Sequence, residues 1–113
     1  VLRIPTGVIE DGEDPKNAAR RELEEETGFV PKEIESLGVL ESTSGYYRGT
    51  SIHLFFAADV RQTGTIAREP SEKDIEVVFI PLEKAFQMAE NAEFEDVQTV
   101  YALLLLKKHL RNS

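Results

Sequence analysis

The sequence contains no cysteine among its 113 residues, which excludes a disulfide and a thiolate metal site. Any bound metal must therefore take oxygen or imidazole ligands, which favours a hard cation such as Mg²⁺. No run of about 18 apolar residues is present, and no segment resembles a secretory signal. We therefore expect a cytoplasmic protein that does not bind membranes.

Basic residues are also scarce. The chain has 13 Lys and Arg against 21 Asp and Glu, a formal net charge of -8. Nucleic-acid binding depends on clustered Lys and Arg, so we expect no nucleic-acid partner, and an anionic substrate would need a locally supplied positive charge. Internal repeats and low-complexity linkers are absent as well, and residues 1–113 are predicted to form a single domain.

The best-defined predicted element is a helix from Pro15 to Thr27. Asp14 is a typical N-cap, Pro15 suits the first helical position, and Gly28 is a typical C-terminal stop. Further along the chain, strands are predicted at residues 34–41, 51–60 and 75–82, loops at 42–50 and 61–74, and helices near 83–90 and 95–110. Helices and strands that interleave in this way predict an α/β fold around one mixed sheet.

Three carboxylates share one face of the predicted helix. Glu22, Glu25 and Glu26 lie at positions i, i+3 and i+4. Their mutual repulsion weakens the helix by about a few tenths of a kcal/mol per pair, and a bound divalent cation would reverse the sign of that effect. The alternative is a solvated face paired with Arg20 and Arg21, which is the commoner explanation of an isolated glutamate-rich helix.

The residues before the helix favour a metal site. The relevant residues are Gly7, Glu13, Arg21, Glu22, Leu23, Glu25, Glu26, Gly28 and Phe29. Their spacing over residues 7–29 matches the Nudix box, G-x5-E-x7-R-E-U-x-E-E-x-G-U, at every position. A chance match to its seven residue identities is roughly one in 10⁸ per starting point. The chain thus resembles the Nudix hydrolase family, which implies an α/β/α sandwich with a mixed sheet.

The resemblance also implies roles for individual residues. The family's matching residues make Gly7, Glu22, Glu25 and Glu26 the expected ligands of Mg²⁺, with Mn²⁺ as a possible substitute. Glu25 and Glu26 are in addition expected to be catalytic, whereas the residues matching Glu13 and Arg21 mainly brace the loop and the helix. Family members normally have two or three strands before the box, so we expect the N-terminal strands to be missing from this chain. An unpaired sheet edge invites self-association, which predicts a homodimer.

Beyond the box, the chain is most similar to ADP-ribose pyrophosphatases and related nucleoside diphosphate sugar hydrolases. This similarity implies a metal-dependent pyrophosphohydrolase that converts ADP-ribose to AMP and ribose 5-phosphate. In these enzymes the general base comes from an acidic loop before a late strand. Here that loop contains Glu69, Glu72 and Asp74, and Glu72 is the expected base.

The loop around residue 45 supplies the candidate substrate ligands. The subgroup usually has a proline followed by a glycine there, and this chain keeps Gly45 without the proline. Tyrosines in this region are typical of dinucleoside polyphosphate hydrolases, so Tyr46 or Tyr47 is a candidate to stack on a base, or else an ordinary loop residue. Arg48 is a candidate to bind a substrate phosphate, with solvent exposure as its alternative.

Three alternatives to an ADP-ribose hydrolase stay open at this point. The first is a hydrolase of dinucleoside polyphosphates, and the second is a non-catalytic Nudix module that binds ADP-ribose or a related nucleotide as a sensor. The third is an acidic interaction domain whose helix is merely charged surface. Because no box glutamate is lost, the sequence favours the ADP-ribose hydrolase. His53 and His109 have no sequence partners typical of catalysis, and we expect both to be structural.

Overall fold

The computed structural model describes residues 4–41, 49–62 and 77–112. In chain order, the elements are α1 (Pro15–Thr27), β1 (Phe29–Val30), β2 (Glu33–Glu41), β3 (Ser51–Ala58), β4 (Arg61–Gln62), α2 (Leu82–Glu90) and α3 (Val97–Arg111). Strands β1 and β4 pair antiparallel, and so do β2 and β3. The mixture of helices and strands is the predicted α/β class. The strand pairs among these residues are all antiparallel, whereas a mixed sheet was expected.

Helix α1 has the predicted ends. The Asp14 carboxylate accepts hydrogen bonds from the backbone N–H groups of Lys16 at 3.1 Å and Asn17 at 3.3 Å. Pro15 occupies the first helical position, where a missing N–H leaves no bond unmade. Gly28 ends the helix in the left-handed conformation, at φ 78°, which costs a glycine little. These caps fix where the helix that carries the box glutamates begins and ends.

The β2–β3 pair is the structural platform for the helices. Helix α1 contacts both strands and α3 contacts β2. The pairing is interrupted only by an irregularity between Ser36 and Gly38. His109 of α3 places its Nε2 2.6 Å from a Glu35 carboxylate oxygen, and its ring meets that of Phe56 edge-on at 6.0 Å. His109 thus joins the end of α3 to the strands, the structural role expected for it.

Apolar packing joins α2 to α3. Ala85, Phe86 and Ala89 of α2 form a buried cluster with Leu103 of α3.

A cavity of about 590 Å³ is lined by every residue at positions 50–57, along with residues of α1 and α3. Because side chains alternate between the two faces of a strand, a continuous run of lining residues means that the cavity follows the edge of β3.

Two predicted elements differ from the structure. A strand was predicted at residues 75–82, but residues 77–81 are irregular and Leu82 begins α2. Val78 and Phe79 are exposed, at 55% and 75%, and no strand of the described chain pairs with them. A β-prone run becomes a strand only where a neighbour completes its hydrogen bonds. The predicted loop at 61–74 instead begins with β4, which pairs with β1.

Within the described ranges, no helix is both long and apolar enough to cross a membrane. The longest, α3, has 15 residues, whereas a transmembrane helix needs about 20. Its last turn also carries basic residues, including Lys108 and Arg111.

Candidate functional site

The glutamates of α1 form a gradient of exposure. Glu26 is buried, at 5% exposure, whereas the side chains of Glu22 and Glu25 are 20% and 41% exposed. Burying a carboxylate is costly unless donors or cations offset the lost hydration. Its burial distinguishes Glu26 from a solvated surface glutamate.

Arg21 connects the loop before α1 to the glutamates of the helix. Its Nε and Nη2 donate to the two oxygens of Glu13, at 2.9 and 3.0 Å. Its Nη1 donates to Glu22 Oε1 at 2.9 Å and to Glu25 Oε2 at 3.3 Å. Nη2 also donates to the carbonyl of Val8 at 3.1 Å. One guanidinium therefore holds the loop and two of the box carboxylates together, as the predicted bracing role of Arg21 and Glu13 requires.

The hydrogen bonds of this network shift the pKa values of Glu13 and Arg21. Hydrogen bonds from Arg21, followed by one from the backbone N–H of Glu10, lower the pKa of Glu13 from 4.5 to about 2. Reciprocally, Glu13 and then Glu22 raise the pKa of Arg21 above its ordinary value. The contact between loop and helix is therefore ionic throughout the neutral pH range.

Acid is expected to weaken the contact between Glu13 and Arg21. Because the pKa of Glu13 is about 2 in the folded chain and 4.5 without its partners, this ion pair stabilises the fold fully above about pH 4.5. Its contribution is lost as the pH falls from about 4.5 towards 2. Urea unfolding at a series of pH values should therefore show a steeper loss of stability for the wild type than for Glu13→Gln across that window. If stability fell equally with pH in both proteins, the pKa of Glu13 would not change between the folded and unfolded chain.

Gly7 and Glu22 lie in direct contact. A Cβ atom added at Gly7 would stand 2.0 Å from Cδ and 2.5 Å from Oε1 of Glu22, closer than real carbon contacts allow. A larger residue here would require the Glu22 side chain or the loop to move, because the backbone of the loop approaches the Glu22 carboxylate closely. The structure thus brings together a backbone segment and a box carboxylate, both predicted to serve a metal.

The donor set suits a hard divalent cation. Glu22, Glu25 and the backbone at Gly7 offer only oxygen ligands, which Mg²⁺ and Mn²⁺ prefer. In the arrangement seen, Arg21 Nη1 lies between Glu22 and Glu25, and no three acidic or imidazole groups of the described chain converge as metal ligands do. Arg21 and a metal ion would therefore compete for the same oxygens. The residues fit the cation in their chemistry, with Arg21 as its competitor for the oxygens of Glu22 and Glu25.

The described residues include only part of the predicted site. Gly7, Glu22 and Glu25 are brought together, and Glu26 lies on the same helix in a buried position. The remaining predicted residues, Gly45, Tyr46, Arg48 and Glu72, lie outside the described ranges, and their roles stay predictions.

Sequence reasoning missed one buried polar contact near this loop. Thr99 of α3, at 2% exposure, accepts a hydrogen bond from the N–H of Ile4 at 3.2 Å and donates its hydroxyl proton to Asp96 at 2.6 Å. An aspartate three residues before a threonine is a signal for a helix N-cap, so the Asp96 contact could have been found. The contact to Ile4 spans 95 positions and has no local signal.

Comparison with known proteins supports the resemblance to the Nudix family. Residues 1–103 match the model of the NUDIX domain family. The chain is 32% identical over 111 residues to an ADP-ribose pyrophosphatase of Bacillus subtilis (strain 168), which covers 95% of this chain and 57% of that protein. It is also 32% identical over 107 residues to a methanol dehydrogenase activator of Bacillus methanolicus, with the same two coverages.

A solved structure described as an ADP compounds hydrolase superimposes with a TM-score of 0.78 and 28% identity, over 94% of this chain and 56% of that one. The predicted α/β/α Nudix fold is therefore confirmed. This chain spans little more than half the length of these relatives. Nudix hydrolases generally need a divalent metal ion. Because residues 1–103 match the family model, the chain belongs to the NUDIX domain family.

Proposed function

We propose that this chain forms the catalytic domain of a Mg²⁺-dependent pyrophosphohydrolase that cleaves ADP-ribose to AMP and ribose 5-phosphate. The observation that carries the proposal is the complete set of box carboxylates on one well-capped helix, with a glycine loop held against it. Relatives at 30–32% identity are named ADP-ribose pyrophosphatase, and the similar solved structure is described as an ADP compounds hydrolase, which supports this choice of substrate.

The charge of the chain makes a cation necessary for this chemistry. A diphosphate approaching a chain of net charge -8 is repelled unless its oxygens are neutralised locally. When bound, a divalent cation supplies that neutralisation and lowers the pKa of a coordinated water. Glu22 and Glu25, with the backbone at Gly7, would hold the ion. Mn²⁺, which takes similar oxygen ligands, is the expected substitute.

The remaining residues position this site. Arg21 fixes the loop on α1 through Glu13 and the Val8 carbonyl, so the backbone at Gly7 keeps its place beside Glu22. Glu26 offers a carboxylate that solvent hardly reaches, which strengthens its interaction with a nearby cation. Glu72 is the proposed general base.

The proposed partner is a small nucleoside diphosphate derivative. A chain of net charge -8 does not suit nucleic acid. A homodimer, a cytoplasmic location and a single domain over residues 1–113 stay predictions.

Product release from a substrate panel tests the proposal. ADP-ribose, GDP-mannose, NADH and diadenosine polyphosphates would each be incubated with the chain in Mg²⁺, in Mn²⁺ and in EDTA. We expect AMP from ADP-ribose with either metal and none in EDTA. Faster cleavage of diadenosine polyphosphates would establish the dinucleoside alternative. ADP-ribose binding by calorimetry without turnover would instead establish the sensor. If Mn²⁺ also failed to raise the melting temperature, the acidic interaction domain would be favoured.

A further inference from the structure

The segment that carries Gly7 is held at both ends. At residue 4, the backbone N–H of Ile4 donates to Thr99 Oγ1 of α3. At residue 8, the carbonyl of Val8 accepts from Arg21 Nη2 of α1. Gly7 lies between these two attachments, at most about 11 Å of extended chain from Ile4. Residues 4–8 are called the Gly7 segment below.

The attachment to α3 is a directed chain of hydrogen bonds. The Ile4 N–H donates to the Thr99 hydroxyl oxygen, and the hydroxyl proton is donated to Asp96 Oδ2 at 2.6 Å. The same carboxylate oxygen accepts the backbone N–H of Thr99 at 3.1 Å and caps α3. A hydroxyl that donates to a carboxylate becomes a better acceptor, so the cap strengthens the bond to Ile4.

Thr99 is buried well beyond what capping requires. An N-cap is completed by the aspartate side chain and a backbone N–H, so it does not require the threonine hydroxyl. Here the threonine hydroxyl adds a long-range bond at 2% exposure. Its oxygen therefore supplies the Gly7 segment with a polar attachment to a helix remote in sequence.

We propose that Thr99 is a positioning residue that keeps the backbone at Gly7 against Glu22, and that it thereby tunes the affinity of the box for a divalent cation. This inference rests on the proposed function, since it assumes that Gly7 and Glu22 serve a metal. The proposed metal site is sensitive to the position of the backbone at Gly7, because the Glu22 side chain already fills the space that a Cβ would take.

Three variants of the 113-residue chain test this role. Thr99→Val keeps the shape of the side chain and removes the hydroxyl, while Thr99→Ser keeps the hydroxyl. Phe86→Leu alters the buried α2–α3 cluster, which includes none of residues 4–8, and serves as the control for general destabilisation. Mn²⁺ affinity would be measured by electron paramagnetic resonance, and the Gly7 amide would be followed in a chain labelled with ¹⁵N-glycine.

Thr99→Val is expected to weaken Mn²⁺ binding roughly three- to tenfold, as the loss of one hydrogen bond implies. It should also shift the Gly7 amide resonance while that of Gly38, in β2, stays in place. Thr99→Ser should restore both readouts. Phe86→Leu should lower stability in urea without changing either one.

Wild-type Mn²⁺ affinity together with an unmoved Gly7 resonance in Thr99→Val would show that Thr99 only caps α3. If the wild type itself bound no Mn²⁺, the proposed function would fail, and the Gly7 resonance alone would still decide the positioning role. Should Thr99→Val not fold, Ile4→Pro removes the donor of the same bond and leaves Thr99 paired with Asp96. Its two readouts then decide in the same way.

Discussion

Replacement of Glu26 by glutamine is expected to lower kcat for ADP-ribose hydrolysis by roughly 10²- to 10³-fold, the range seen when one group that stabilises charge in the transition state is removed. Glutamine has the shape of glutamate without its charge. Since Glu26 is only 5% exposed, water has little access to its position and cannot compensate for the loss of the carboxylate charge. The measurement is AMP release at saturating ADP-ribose and Mg²⁺, which reports kcat separately from KM.

Glu26→Gln should also respond less than the wild type to stabilisation by metal. Glutamine keeps the size and shape of the Glu26 side chain, so the melting temperature of Glu26→Gln without metal is the reference for its response to Mn²⁺. With Mn²⁺ at 100 times its Kd, a folded chain that binds the ion gains about 2.7 kcal/mol. Glu26→Gln should gain less, and its melting temperature should therefore rise less on adding Mn²⁺.

Glu24→Gln is the matched control. Glu24 lies on the same helix, is exposed, and occupies a position that the Nudix box leaves free. The two variants change the net charge equally, so they differ only in where the charge is removed. Equal losses of kcat would attribute the effect to helix charge alone. Full activity in Glu26→Gln would exclude Glu26 from the chemistry.

The sequence predicted α1 well because its ends are decided locally. The side chain of Asp14, the ring of Pro15 and the backbone freedom of Gly28 each act within one turn of the helix. The resemblance to the Nudix box also assigned Gly7 and Glu22 to one expected metal site, and the structure places these two residues in contact. Family resemblance added the metal roles, which helix geometry alone left open.

Long-range pairing could not be predicted from the sequence. The apolar run at residues 77–80 has the composition of a strand, but being a strand depends on a partner elsewhere in the chain. In contrast, Arg61 and Gln62, predicted as loop, find partners in Phe29 and Val30. The hydrogen bond from Ile4 to Thr99 is a further case, because nothing near either residue indicates the other.

Arg21 shows how the structure can join two interpretations of one residue. The sequence allowed a surface pair between Arg21 and Glu25, or a brace between loop and helix. The guanidinium does both, since it contacts Glu25 at 3.3 Å and Glu13 at 2.9 Å. Five N–H donors in a fixed plane permit this, and a lysine would not provide the same set of bonds.

Replacement of Gly7 by alanine is expected to reduce ADP-ribose hydrolysis by roughly 100-fold, the cost of misplacing a catalytic group by about 1 Å. The added Cβ would meet Glu22 Cγ at 2.2 Å and Cδ at 2.0 Å. Glu22 cannot yield freely, because its Oε1 accepts a hydrogen bond from Arg21 at 2.9 Å. Either the Gly7 segment or the carboxylate must move. Mn²⁺ affinity should fall together with activity.

Gly12→Ala separates this steric effect from the general cost of replacing a loop glycine. Gly12 has φ +77°, and a Cβ there would meet nothing within 4 Å. Alanine at this position is strained by about 1–2 kcal/mol in the left-handed conformation but is free of any clash. Gly12→Ala should therefore lower the free energy of unfolding while Mn²⁺ affinity stays at the wild-type value.

The two glycine variants together decide what Gly7 contributes. If Gly7→Ala loses Mn²⁺ affinity and Gly12→Ala does not, close approach of the backbone to Glu22 is what the metal site requires. If both lose affinity in proportion to stability, the loop matters only as part of the fold. A Gly7→Ala chain with wild-type affinity and turnover would show that Glu22 can leave its place beside the loop without cost, and that the metal site does not require a glycine at position 7.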